Sequence, residues 1–171
     1  MKLLCVLLPH FPFRCEVQRL PALKGRGTAV IYAVGSQKLI MDFSPELEGL
    51  HQGMAVQQAL SLHGEIELVH ADMPYYSFVF SQILDALEMK SPLVEGAEPG
   101  SVYIGLEGLQ LMYRDDDSVV RAMRKAIPET FAPQIGIAEG KFLAYLAALY
   151  SPADGYRVLA ENIDAFLKDL S

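Results

Sequence analysis

Four histidines (His10, His51, His63 and His70) and two cysteines (Cys5 and Cys15) are the residues of this 171-residue chain with imidazole or thiolate to offer a metal. They form no H-x-x-x-H, H-E-x-x-H or C-x-x-C spacing. A site built from Cys5, His10 and Cys15 is conceivable by residue type, but no spacing supports it, and ordinary packed or surface residues are the simpler reading. "DDD" (115–117) has the oxygen ligands of a hard cation. The same acids at the start of a helix are stabilised by its dipole, and that capping role is favoured. "LKGRG" (23–27) lacks the Gly-Lys-Ser/Thr ending of a phosphate-cradling loop. "GIAEGK" (136–141) has a strand-glycine-helix layout that can hold an anion at a helix N-terminus, yet Lys141 stands there alone. No Ser or Cys sits in a G-x-S-x-G elbow. These spacings by themselves show no active site.

The bulk properties narrow the class. The length suits one domain, or one domain with a small insertion. A composition of 51% apolar and 20% charged residues is globular. A net charge of -7 and a pI near 5.0 argue against a strong nonspecific grip on nucleic acid, which depends on Lys and Arg meeting phosphates. Two cysteines suggest no disulfide framework. "MKLLCVLLP" has a short apolar run that ends at Pro9 without a small-residue cleavage site, so it reads as a strand and not as a signal peptide. No apolar stretch approaches transmembrane length, and the expectation is a cytoplasmic protein with no membrane partner.

The elements follow from periodicity and punctuation. "KLLCVLL" (2–8) is a strand buried on both faces, ended by Pro9 and Pro12. "FRCEVQRL" (13–20) forms a short helix. "TAVIYA" (28–33) and "KLIMDF" (38–43) flank a turn and pair as a hairpin. "SPELEGL" (44–50) opens like a helix, with Ser44 as N-cap, Pro45 in the first position and Gly49 as a stop. "MAVQQALSL" (54–62) is a second short helix and "IELVH" (66–70) a strand. Asp72 caps a long helix to about Met89, with Tyr75, Phe78, Ile83, Leu84 and Leu87 on its apolar face.

"PLVEG" (92–96) and "SVYIGLEG" (101–108) make an antiparallel pair. Gly105 inside the second strand marks a bulge, a bend or a close approach by something else. "RDDDSVVRAMRKAI" (114–127) is a helix with acids first and bases last. "PQIGIAEG" (133–140) is a strand and turn, "KFLAYLAALY" (141–150) an apolar helix, "GYRVLA" (155–160) a last strand and "NIDAFLKDL" (162–170) a closing helix. From residue 72 the order is helix, strand, strand, helix, strand. With the first strand this gives an α+β, ferredoxin-like βαββαβ domain (1–9 and 72–171), carrying a small inserted α/β subdomain (10–71).

Several segments, in order, resemble the Y-family translesion DNA polymerases. "GIAEGKFLAYLAALY" is similar to their "G-I-A-x-N-K-x-L-A-K-x-A-S". "LKGRGTAVIY" resembles "L-x-G-x-P-V-A-V", and "GLHQGMAVQQAL" resembles "G-V-x-x-G-M-x-x-x-x-A". "SPLVEGAEPGSVYIGLEG" resembles "S-P-x-V-E-x-x-S-I-D-E-A-Y-L-D-x-T-G", "FPFRCE" resembles "F-Y-A-S-V-E", and "YYSFVFSQILDAL" matches the family's Tyr-Ser segment and long helix. The resemblance implies a ferredoxin-like palm with a fingers subdomain inserted after the first strand. It also implies that the family's thumb and C-terminal DNA-gripping domain are absent from this chain.

The departures from the family pattern carry the functional expectation. By the resemblance, the first metal-binding Asp falls on Leu7 and the next on Pro9. The Asp-Glu pair falls on Gly100 and Ser101, and a later Asp on Gly105. The Tyr and Arg that hold the triphosphate fall on Phe43 and Glu46, and the Lys near "K-P-x-G" falls on Ser151. Two-metal phosphoryl transfer needs carboxylates on both ions. Leucine and glycine side chains cannot ligate Mg²⁺, and Glu in place of Arg reverses the sign of a phosphate clamp. The family's Mg²⁺ is therefore not expected as a cofactor, and neither is polymerase activity. Lys141 is the one remaining candidate for a nucleotide contact.

The pattern resembles the inactive, ImuB-like branch of the family, in which a polymerase body serves as an adaptor in DNA repair, translesion synthesis and the SOS response. Partners implied by that resemblance are a replicative-type polymerase subunit, a sliding clamp or a recombinase, with DNA bound only through the missing C-terminal domains. Two alternatives stand beside it. One is a divergent polymerase whose metal site uses Glu98, Glu107 or Asp42. The other is a ferredoxin-like regulatory domain with a small-molecule pocket near Gly100 to Gly105 and Lys141.

Overall fold

The computed structural model describes residues 1–161 and 163–170. In chain order the elements are β1 (Lys2–Leu7), α1 (Phe11–Arg19), β2 (Thr28–Val34), β3 (Gln37–Phe43), α2 (Val56–Leu62), β4 (Glu67–His70), α3 (Met73–Glu88), β5 (Val94–Gly96), β6 (Ser101–Gly105), α4 (Asp116–Ala126), β7 (Gln134–Glu139), α5 (Lys141–Leu149), β8 (Tyr156–Val158) and α6 (Ile163–Asp169). The chain divides into two compact units: Met1–Pro9 with the chain from Phe80 onward, and His10–Val79. Among the described residues no helix is long and apolar enough to cross a membrane.

The first unit is built on a five-stranded sheet of order β5-β6-β1-β7-β8. β1 lies between β6 and β7 and runs antiparallel to both, while β8 runs parallel to β7. The four strands β5-β6-β1-β7 with α3 and α4 form the βαββαβ order, and β8 is an added edge. Leu4, Cys5 and Val6 are completely buried, which is why β1 reads as an unbroken apolar run. Cys5 and Leu7 point to one face, where they pack with Ala138, Leu159 and the small residues Ala144, Ala147 and Ala148 of α5.

Glycine allows α5 to sit this low. A Cβ at Gly136 of β7 would lie 2.1 Å from the Ala148 backbone nitrogen. The alternate residues Leu4, Val6, Val102, Ile104, Ile135 and Ile137 are also fully buried and need cover on the opposite face. The buried stripes of α3 (Ile83, Leu87) and α4 (Val119, Val120, Met123) are the apolar surface left to supply it.

The second unit is a three-stranded sheet of order β3-β2-β4 with α1 and α2. β2 and β3 form the antiparallel hairpin, with Gly35 in its turn at φ 62, and β4 joins β2 in parallel. Ala29, Ile31, Ile40, Leu47, Leu50, Met54, Val56 and Ala59 make its core.

Three local expectations are corrected. Residues 44–50 form turns, not a helix. Ser44 does not cap: its hydroxyl accepts from the Thr28 N–H at 2.6 Å and its own N–H donates to the Thr28 carbonyl at 2.9 Å, so it prolongs the β2–β3 pairing. Phe78 is 58% exposed, and the buried stripe of α3 is Tyr76, Val79, Phe80, Ile83 and Leu87, rotated from the face read off the sequence. The strand expected over 101–108 ends at Gly105, because its partner β1 begins at Lys2. The closing helix read from Asn162 starts outside the described residues, and α6 is described from Ile163.

Candidate functional site

In the first unit, β1 and β6 bring Leu7 opposite Ser101, and the Leu8 N–H donates to the Gly100 carbonyl at 2.8 Å. The structure thus brings together Leu7, Gly100 and Ser101 at one end of the strand pair. The chemistry there is apolar. Leu7 is 7% exposed and belongs to the cluster under α5. Gly100 has φ 103, a backbone conformation that residues with side chains seldom adopt. An Asp or Glu at 100 would be strained, and a carboxylate at 7 would be desolvated among alanines and leucines.

Gly105 stands apart from this group, paired with Leu3 near the other end of β1. The strand register shows no bulge at Gly105. A Cβ there would meet the Leu93 side chain at 2.9 Å, so this glycine makes room for a neighbouring leucine. Glu98 contributes its backbone carbonyl to a turn, accepting from the Ser101 N–H at 2.9 Å, while its side chain is exposed. Lys141 donates to Glu95 at 2.9 Å and lies 5.5 Å from the Tyr103 ring centre. Ser151 donates its hydroxyl to the Ala148 carbonyl at 2.8 Å, closing the end of α5.

The structure also has a shallow cleft of about 180 Å³ at the loop after β6. Lys2, Leu106, Glu107, Tyr113, Arg114 and Asp116 are among its lining residues. Lys2 is paired with Asp116 at 3.1 Å, and Glu107 is exposed. Gly100, Ser101, Gly105 and Lys141 do not line this cleft.

In the second unit, Asp42 is almost completely buried and both its oxygens are engaged. Oδ1 pairs with His10 Nδ1 at 2.8 Å, and Oδ2 accepts the Phe13 N–H at 2.9 Å. It therefore anchors the start of α1 from β3. Phe43 meets the His10 ring edge-on at 5.0 Å between centres. Glu46 is exposed on the turn that follows. Arg14 is half-buried near both Asp42 and Glu46, and burial holds its guanidinium below the ordinary value. Where a triphosphate clamp would need cations at the surface, the exposed side chain on this turn is the carboxylate of Glu46, while Asp42 is buried against His10.

A second network is visible in the sequence only in fragments. Buried Glu16 accepts from the Tyr76 hydroxyl at 2.6 Å and from Arg19 Nε and Nη2 at 3.0 Å each. Arg19 also donates to Asp72 at 3.0 Å and lies over the Tyr75 ring at 4.2 Å. The one sequence signal was an acid between apolar positions, as at "CEV" (15–17) and "MDF" (41–43).

Neither cysteine offers a thiolate. Burial pushes Cys5 and Cys15 each up to about 12. Among the described residues no group of three or more His, Cys, Asp or Glu converges as a metal ion requires. Tested on these donors, a pair of Mg²⁺ ions does not fit Leu7, Gly100 and Ser101.

The chain matches the model of the impB/mucB/samB family over residues 6–149. It is 28% identical to DNA polymerase IV of Actinobacillus pleuropneumoniae serotype 5b (strain L20) over 174 aligned residues, covering 99% of this chain and 49% of that protein. It is 26% identical to DNA polymerase IV of Ralstonia nicotianae over 160 residues, covering 91% and 45%. The fold superimposes on DinB from Sulfolobus solfataricus with a TM-score of 0.82 at 20% identity, covering 98% and 51%. It superimposes on the insertion ternary complex of Dbh DNA polymerase with a TM-score of 0.83 at 20% identity, covering 99% and 52%. The chain spans about half the length of the curated relatives it matches.

Proposed function

This chain belongs to the impB/mucB/samB family and has the palm and fingers fold of Y-family polymerases, and on that premise we propose that it is a non-catalytic, polymerase-like adaptor in DNA damage tolerance. One observation carries the reading. Leu7 and Ser101 face each other across β1 and β6 where the family resemblance places metal-binding acids, and Leu7 is packed into the apolar cluster under α5. Gly100 beside them has a backbone that favours glycine.

Glu46, exposed where the family resemblance places an arginine that holds the triphosphate, supports loss of nucleotide binding as well. Asp42 does not serve as a replacement ligand in this reading, because His10 and the Phe13 N–H already take its oxygens. What is retained is the scaffold, and a retained scaffold suits assembly of other proteins: a replicative-type polymerase, a sliding clamp or a recombinase. The net charge of -7 disfavours DNA binding by this part of a protein alone.

Primer extension tests the catalytic half of the proposal. The chain is expected to add no nucleotide to a primed template with Mg²⁺ or Mn²⁺, and titration calorimetry with Mg²⁺-dNTP is expected to give no saturable heat. Template-dependent extension would overturn it. The adaptor half is tested in cells. Deleting the reading frame should reduce damage-induced mutagenesis, and wild-type mutagenesis in the deletion strain would overturn that part.

A further inference from the structure

The sheet of the second unit treats its two outer edges differently. On β3 the edge is closed by the chain itself. The Ile40 N–H donates to the Met54 carbonyl at 2.9 Å, the Gly53 N–H donates to the Ile40 carbonyl at 2.8 Å, and Leu39 bridges Ala55. On β4 the edge is open. The Glu67 and Ala71 N–H groups turn inward, to the Gly27 and Ile31 carbonyls, both at 2.8 Å. Strand alternation then points the N–H and carbonyl groups of Leu68 and His70 outward. Among the described residues β2 is the one strand paired with β4, and no backbone group bonds to the outward ones. Leu68 is 40% exposed and His70 is exposed beside it. Residues 65–72 contain no proline, lysine or arginine, and the β2–β4 register has no bulge, so several of the devices that blunt a sheet edge are missing.

We propose that the outer edge of β4 takes up an extended segment of a partner protein as a fourth strand, one whose residues alternate between β-branched and basic. The backbone specifies the shape of the occupant. A row of outward N–H and carbonyl groups on an exposed strand is satisfied by another extended chain. The side chains specify its sequence. Leu68 stands on one face of the strand, where an apolar cross-strand neighbour covers it. Glu67 stands on the other face, with Glu65 exposed just before it, where a cross-strand Lys or Arg is favoured. Arg26 meets Glu67 at 3.4 Å, but both side chains are exposed, and such a pair is worth little. Glu65, Glu67 and Asp72 give residues 65–72 three acids and no Lys or Arg. A second copy laid on this edge would add three more acids and no such base, so charge selects against it and for a basic segment. The edge uses none of the residues on which the adaptor reading rests, so either can fail alone.

Fluorescence anisotropy of a labelled peptide, Thr-Lys-Val-Lys-Val-Lys-Thr, titrated with the full chain tests it. Saturable binding in the micromolar range is expected, weakening as salt rises. Leu68→Pro removes an outward N–H that no bond of the sheet uses, and should weaken binding by about tenfold or more. The double variant Glu65→Lys, Glu67→Lys should reverse the preference, toward a peptide with Glu in place of each Lys, and carries the test if Leu68→Pro fails to fold. A wild-type chain that does not bind the basic peptide overturns the proposal. So does equal affinity for a peptide with proline in place of each valine, which has the charge without the strand, or binding that neither variant changes. A wild-type dimer in sedimentation that Leu68→Pro breaks would give the edge to a second copy and overturn it as well.

Discussion

The Tyr76 hydroxyl donates to the buried Glu16 carboxylate at 2.6 Å, tying the first turns of α3 to α1 within one unit. Glu16 is only 3% exposed, and its charge is otherwise met by Arg19. Removing the hydroxyl leaves a buried carboxylate short of one donor. Tyr76→Phe is expected to cost about 1–3 kcal/mol, the desolvation cost of an unsatisfied buried group. A urea titration should show a lower midpoint with an unchanged slope. An unchanged midpoint would mean that Glu16 is solvated in the folded chain.

Asp72 links the same network to pH. The Arg19 hydrogen bond, and then the Tyr75 N–H, hold its carboxyl below the ordinary value of 3.8. A carboxyl depressed on folding contributes stability that is present above its unfolded value and lost as pH falls through the folded one. The wild-type chain should therefore be more stable than Asp72→Asn at pH 7, and the gap should narrow as pH falls below about 4. Paired denaturation curves at pH 7 and pH 3 measure it. A gap as wide at pH 3 as at pH 7 would assign Asp72 a role that does not depend on its charge.

Glycine contributes in opposite senses at two positions. At Gly136 an added Cβ would lie 2.1 Å from the Ala148 nitrogen and 2.6 Å from the Ala147 Cβ. The contact is helix backbone, which cannot rotate away, so Gly136→Ala should cost about 3 kcal/mol or more. At Gly64 nothing lies within 4 Å of the added atom and φ is not in the left-handed region. Gly64→Ala should be neutral or stabilising by up to about 1 kcal/mol, through the unfolded chain. Thermal unfolding of the two variants side by side gives the comparison.

These cases show which parts of the molecule are legible in sequence. β1, the β2–β3 hairpin and α4 are, because their signals are local: an unbroken apolar run, a turn between β-branched runs, and Asp115 accepting from the Ser118 N–H at 2.9 Å as a cap. Residues 44–50 have equally good local helix signals, yet Ser44 is drawn into the sheet by Thr28, a partner sixteen positions away. Asp42 and Glu16 are visible only as acids among apolar neighbours. Their roles depend on His10, Phe13, Arg19 and Tyr76, which the fold supplies. The family resemblance points to Leu7, Gly100 and Ser101, but only the strand register places them together. Gly105, which the same alignment groups with them, lies at the other end of β1.

Returning an acid to the first strand joins stability to function. Leu7→Asp places a carboxyl among Cys5, Ala138, Ala144, Ala147, Ala148 and Leu159. Burial without a partner raises its folded pKa above the unfolded value. Such a group destabilises the fold above its folded pKa, and the loss shrinks as pH falls and the acid becomes neutral. About 3–5 kcal/mol is expected at pH 7, as for an unpaired buried charge, with partial recovery near pH 4.5. The variant should also remain unable to extend a primer, since Gly100 and Ser101 supply no second carboxylate. Denaturation at the two pH values, with and without 10-fold more Mg²⁺ than protein, separates the possibilities. A variant stabilised by Mg²⁺ would show that a metal-binding wall survives opposite residue 7, and would return the chain to the catalytic side of its family.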